Sequence, residues 1–224
     1  MGNYIPVNQF HKDFTGLVNT CLNYDNLLYE KYYLPQIKII ESIKDKSNPP
    51  DYEMQMYNAI FLFFRDAIEK LHKLLTSKKL MTHNLHFWDP DYFRQPYQLA
   101  NDLKILFVEI FLISEWELRK QYGNKINLHD IAYKMGLDVQ LTKDLIFLKN
   151  IRNAIIHNAG FYQEESQDWV FQGNIINVRK GKIIAKEDNF NSLTVYFSFI
   201  YRLIEIMYNW LNKDNYFQPI IKMW

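Results

Sequence analysis

Residues 97–123 read YQLANDLKILFVEIFLISEWELRKQYG, and how this stretch is read decides the fold. Its middle, ILFVEIFLI, is apolar almost all round and is broken only by Glu109. That run is about half of the roughly 20 residues a bilayer span needs, so it reads as the central buried helix of a water-exposed bundle. Gly123 supplies its C-terminal stop. A helix apolar on every side must be covered by other helices, and the chain offers them both before and after it.

On the N-terminal side, MTHNLHFWDPDYFRQP (81–96) is polar, aromatic and punctuated by proline, which reads as a loop. Ahead of it, YNAIFLFFRDAIEKLHKLL repeats Ile60, Phe64, Ile68, Leu71 and Leu75 on helical spacing, in a helix for which Asp51 serves as N-cap. An earlier helix runs from about His11 to Lys46, kinked or divided at Pro35, and SNPPD ends it. On the C-terminal side come a short helix, NLHDIAYKMG, and a longer one, DVQLTKDLIFLKNIRNAIIHNAG. The period then changes. WVFQGNIINVRKGKIIAKED holds two β-branched runs around Arg179, Lys180, Gly181 and Lys182, which predicts a hairpin over about 169–186 with the glycine in its turn. NSLTVYFSFIYRLIEIMYNWLNK is a last apolar helix. With no repeat, low-complexity tract or linker, residues 1–224 form one mainly α domain. Its expected architecture is a helical bundle of about five long helices, with a small β-hairpin inserted before the last helix.

Composition agrees. Lys and Arg number 26 against 25 Asp and Glu, a formal net charge of +1, so no global field attracts nucleic acid or an anionic membrane and any such contact needs a local patch. Hydrophobic residues make up 48% and aromatics 17%, with seven Gly and seven Pro, which excludes a disordered or loop-rich all-β chain. Cys21 stands alone, so there is no disulfide framework and no thiolate zinc site. MGNYIPVNQF lacks a charged n-region followed by an apolar stretch, and Pro6 occupies the place of the Ser or Thr of a myristoylation signal. A soluble, cytoplasmic protein with no membrane association is the expectation. P-loop, GxGxxG and GxSxG patterns are absent, which removes the usual nucleotide-hydrolase, dehydrogenase and esterase readings.

Chemistry concentrates at FLKNIRNAIIHNAG (147–160). At about 100° per residue Leu148, Ile151 and Ile155 lie on one face, while Lys149, Asn153 and His157 form an i, i+4, i+8 stripe flanked by Arg152. On that spacing Asn153 reaches His157 and orients it, and Arg152 is in reach of an anion held near the imidazole. A histidine with its pKa near 6.5 serves as acid or base, and a guanidinium stabilises charge growing on phosphoryl oxygens through paired hydrogen bonds. The bland alternative is a solvated helix end whose histidine complements the helix dipole.

The hexad RNAIIH (152–157) resembles the Arg-polar-x-x-x-His signature of the HEPN superfamily, helical domains of which many members are metal-independent endoribonucleases. The resemblance covers the motif and, more loosely, the C-terminal half of the chain. It implies RNA cleavage by 2′-hydroxyl transesterification with no cofactor and no metal, and with Arg152, His157 and Asn153 as catalytic residues. It also implies a homodimer, because one helix offers one histidine where the reaction commonly uses both a base and an acid, and paired motifs line a shared cleft in such proteins. A toxin or phage-defence role follows. Toxins of the superfamily paired with a nucleotidyltransferase antitoxin often carry a tyrosine two residues after the histidine. Ala159 stands there, so a regulatory partner of another kind is left open. Arg65 and His72, a looser match, are read as unrelated.

RNA phosphates are expected on Lys149 and on Arg179, Lys180 and Lys182, with Lys186 nearby. His83, His86 and Asp89 have spacings open to a metal but read as surface decoration, and Glu109 is a buried carboxylate for which a pairing with Arg152 is one option. The aromatics of WVFQGN are core or base-stacking groups, and sequence does not separate the two. Two further readings compete. Leu128 to Gly136 followed by the helix from Val139 resembles a helix-turn-helix DNA reader, and a catalytically silent helical interaction module is the other.

Overall fold

The computed structural model describes residues 69–76, 90–123, 125–171, 174–185 and 191–213, with isolated positions 23, 26, 30 and 34, all four helical. Most of the helix expected over His11–Lys46, the start of the helix behind Asp51, Cys21, Lys186 and the loop holding His83, His86 and Asp89 lie outside the described residues. Among those described are five helices and one two-stranded hairpin, a mainly α fold with the hairpin ahead of the last helix. The elements are α1 (69–76), α2 (Pro90–Tyr122), α3 (Leu128–Lys134), α4 (Val139–His157), β1 (Gln167–Phe171), β2 (Asn174–Val178) and α5 (Asn191–Lys213).

Helix α2 departs from the sequence expectation at both its start and its surface. It begins at Pro90, not after Pro96. Proline suits a first helical position, where the missing N–H has no helical acceptor to lose, and a second proline six residues on, at Pro96, removes one backbone donor from the helix. Nor is the helix sealed all round. Leu99, Leu103, Phe107, Ile110 and Phe111 are buried, while Ile105 is 50% exposed and Trp116 63% exposed. Apolar residues beyond the width of the packed stripe are left facing outward, because only one side of α2 meets α4 and α5.

Helix α5 carries the cleanest pattern, with Leu193, Phe197, Ile200, Leu203, Ile204, Met207 and Trp210 all buried. Phe199 joins the layers. Its ring lies 5.6 Å from Phe107 of α2, 5.9 Å from Phe147 of α4 and 5.5 Å from Trp169 of β1. Trp169 and Phe171 share the inner face of the hairpin and stack at 5.4 Å, while Val170 between them points out. Those aromatics are therefore core.

The hairpin turns at a different place from the one expected. Phe171 pairs with Asn174 and Gln167 with Val178, so the chain reverses between Phe171 and Asn174 and not at Arg179–Lys182. The β-branched run Ile175–Val178 pairs back on WVF, and the Gly181 turn serves a second reversal. There Tyr162 donates its N–H to the Lys182 carbonyl, Gly181 to that of Tyr162 and Ile184 to that of Gly160, at 3.0, 2.7 and 3.0 Å. A bridge between Phe161 and Ile183 completes this short ladder. Gly181 has φ +68°, a left-handed conformation that glycine adopts without a steric cost.

Helix α4 is positioned from both ends. Asp138 caps it by accepting from the Leu141 N–H, at 2.8 Å. Inside the helix, Asp144 is buried and links three elements. It accepts from Trp169 Nε1 at 2.8 Å, from Gln140 Nε2 at 2.9 Å, and from Arg202 of α5 through Nε at 2.6 Å and Nη2 at 2.5 Å. Arg202 also donates to Glu205 at 2.6 Å. Burial works against the Arg202 charge, but the bond to Glu205 and the field of Asp144 outweigh it and raise its pKa. Among the described residues no helix is long and apolar enough to cross a membrane.

Candidate active site at the end of helix α4

Burial on α4 runs through Leu141, Leu145, Leu148, Ile151 and Ala154, which fixes where the polar residues fall. Arg152 lies one position beyond this stripe, on the side facing α2. There Phe111, Glu115 and Arg119 follow one another at intervals of four and form a column. The Arg152 guanidinium lies over the Phe111 ring, 5.2 Å from its centroid, and Nη2 pairs with Glu115 Oε2. The other oxygen of Glu115 accepts from Arg119 Nε and Nη2 at 3.0 and 2.8 Å, and Arg119 Nη1 donates to the Ile126 carbonyl at 2.9 Å. Glu115 thus binds two arginines at once. Only 12% of the Arg152 side chain and 11% of Glu115 remain exposed.

The acidic partner of Arg152 is Glu115, while Glu109, the alternative visible in sequence, points outward and pairs loosely with Lys70 at 3.7 Å. Burial lowers the Arg152 pKa from its ordinary value. Its Nε, buried, has no hydrogen-bond partner among the described residues.

Asn153 also differs from expectation. Its Oδ1 accepts from Arg152 Nη1 at 2.8 Å, so the amide orients the guanidinium and not the imidazole. An adjacent charged donor outcompetes a histidine one turn away. His157 lies in the last turn of α4, exposed and without a hydrogen bond or ion pair among the described residues. Lys149, half-buried, continues the stripe of Asn153 and His157 two turns back.

Beyond His157 the chain turns sharply. Asn158 and Gly160 both donate their N–H groups to the Ala154 carbonyl, at 3.1 and 2.8 Å, and Ala159 and Gly160 take φ +50° and +85°. The next residues, Phe161 and Tyr162, enter the ladder with residues 181–184, so the turn bearing Lys180 and Lys182 is tied to the segment that leaves His157. Both lysines are exposed. Arg179 is placed otherwise. It pairs with Asp168 at 2.6 Å and donates to Asn177 Oδ1 at 2.9 Å and to the carbonyls of Gln167 and Val178, so it fastens the hairpin. The Lys180 N–H is held by Ser166 Oγ at 3.0 Å.

Glu115 and Asp144 are the residues the sequence reading missed. Glu115 had one signal, its four-residue spacing from Arg119 just after the apolar run of the helix, and Asp144 had another, a carboxylate on the face shared with Leu141, Leu145 and Leu148. Among the described residues no group of three or more His, Cys, Asp or Glu is placed to hold a metal ion. No protein-family model matches the chain, and neither do any curated protein or solved structure.

Proposed function

We propose that this protein is a metal-independent endoribonuclease of a toxin or phage-defence kind, acting through Arg152 and His157. The observation that carries the reading is the pairing of an exposed, uncommitted imidazole with a guanidinium clamped five residues earlier on the same helix. The resemblance of Arg-Asn-x-x-x-His to the HEPN signature supports it from the sequence side.

In the reaction the 2′-oxygen attacks the adjacent phosphorus, the O2′–P bond forms and the P–O5′ bond breaks. The 2′-hydroxyl proton goes to a base and the leaving 5′-oxygen takes one from an acid. His157 fills one of these roles, and the His157 of a second copy fills the other in a homodimer with a composite cleft. Arg152 stabilises the phosphoryl charge with the N–H groups not engaged by Glu115 and Asn153. Glu115 and Asn153 hold its plane, which limits the reorganisation needed when the transition state forms. Lys149, Lys180 and Lys182 take backbone phosphates, while Arg179 holds the lysine turn in place.

The test is cleavage of unstructured RNA in excess chelator. The expected products end in 2′,3′-cyclic phosphate and 5′-hydroxyl, and RNA with 2′-O-methyl at the cut site resists. Cleavage of DNA or a need for magnesium would overturn the reading. Light scattering should report twice the 27.1 kDa chain mass. A second reading, DNA binding, draws on the corner formed by α3, Gly136 at φ +62° and α4. A gel shift on duplex DNA with no RNA cleavage would favour it.

A further inference from the structure

We propose that the ring of Phe161 is a stacking platform for one nucleobase of a single-stranded RNA held at His157, an inference that rests on the RNA reading above. Phe161 is four residues beyond His157, so their Cα atoms are at most about 14 Å apart. A strand with a phosphate at the imidazole therefore passes the ring within a few nucleotides.

The position of the ring is fixed by its backbone. Phe161 donates its N–H to the Asn158 carbonyl at 2.8 Å, and the residues on either side of it, Gly160 and Tyr162, are bonded to Ile184 and Lys182. Tyr162 is fully buried, with its hydroxyl accepting from Gln167 Nε2 at 2.6 Å. Alternation along this bonded segment sends the Phe161 side chain the other way, where it is 42% exposed beside the similarly exposed Ile183. A half-exposed aromatic on a backbone anchored from both sides offers a face to a base without first being ordered.

Its surroundings select the ligand. Lys180 and Lys182, both exposed, lie on the turn to which this segment is bonded, so two cations and an exposed aromatic belong to one short ladder. Single-stranded nucleic acid is recognised by this combination, with bases on rings and phosphates on cations. Trp169 and Phe171 are buried in the core and are not available for the purpose. In-line attack by the 2′-hydroxyl also favours a nucleotide unstacked from its neighbour, and a platform beside the imidazole holds it so.

The probe is a short 2′-O-methyl oligouridylate carrying one 2-aminopurine, which binds without being cut, titrated with the full chain. Wild type and F161Y should quench the 2-aminopurine emission. F161L should abolish the quenching and weaken binding by about 5-fold or more. If F161L lowers the melting temperature, F161W gives an independent readout, since its added indole emission should fall when the unlabelled oligonucleotide binds. Equal quenching and affinity in wild type and F161L, or indole emission unmoved by RNA, would overturn the platform and leave the nuclease reading intact. Failure of the wild type to bind the oligonucleotide at all would remove both.

Discussion

Arg152→Ala and His157→Ala should separate activity from stability, because the structure places the two side chains in opposite environments. Arg152 is nearly buried and makes an ion pair with Glu115, a bond to Asn153 and a contact over Phe111. Truncation to Ala removes all three. Glu115 nevertheless keeps both bonds from Arg119, so no carboxylate is left unpaired, and the cost stays below the 3–5 kcal/mol of an orphaned buried charge. At about 0.5–1 kcal/mol net each, the ion pair, the bond to Asn153 and the cation–π contact together give about 2 kcal/mol. For a chain of this length that lowers the melting temperature by roughly 4–8 °C. His157 is exposed and has no partner among the described residues, so its replacement by Ala should shift stability by no more than about 0.5 kcal/mol. Both variants should lose cleavage by roughly 10²–10⁴-fold. Thermal melts followed by circular dichroism, run beside cleavage of labelled RNA, read both quantities. If Arg152→Ala melts with wild type, the clamp is wrong; if His157→Ala cleaves at full rate, the active site is elsewhere.

Asp144→Ala should cost about 3–4 kcal/mol in urea unfolding, since it strands the buried Trp169 indole N–H and leaves Arg202 with Glu205 alone; a loss under about 1 kcal/mol would contradict the network. Gly160→Ala should cost about 1–2 kcal/mol from backbone strain at φ +85°, because its added methyl would meet only Ile183 at an ordinary 3.8 Å. A neutral result in the same urea assay would mean that the turn relaxes. Burial raises the Tyr162 pKa above its ordinary 10.0, so the neutral phenol favours the folded state. That contribution is complete below about pH 10 and is lost as pH rises through the raised value. The stability difference between wild type and Tyr162→Phe should therefore move in favour of the variant as pH rises past 10, and a pH-independent difference would rule the argument out.

The helices after residue 97 were legible because their apolar residues repeat at helical spacing and their ends carry explicit stops and caps. The caps Asn127 and Asp138 and the glycines at 123, 136 and 160 stand where the structure uses them. The hairpin was legible as a change of period, but its turn was not. Gln172-Gly173 and Lys180-Gly181 offer similar local signals, and the tertiary requirement that Trp169 face Phe147 and Phe199 and that Phe171 face Tyr201 selects the pairing of Phe171 with Asn174. Helix α2 was misjudged for a related reason. Composition shows how apolar a helix is, not how many neighbours arrive to cover it, so Ile105, Leu112 and Ile113 of the apolar middle read as core and are exposed.

The candidate site was half legible, and the missing half explains how the motif is divided. Along one helix Arg152, Asn153 and His157 look like a single polar group. A rotation of about 100° per residue nevertheless places Arg152 toward α2 and leaves His157 on solvent. A carboxylate from a distant part of the sequence therefore decides what the arginine does. With Glu115 and Asn153 on two of its nitrogens, the Arg152 guanidinium is held in one plane, whereas a lysine there would offer a single mobile ammonium. Glu115 is held in turn by Arg119, so the guanidinium is fixed by groups that take no part in chemistry at the imidazole. On the proposed reaction the histidine must gain and lose protons and stay accessible, while the arginine must not move. The segregation of the two along α4, one clamped and one free, meets both requirements.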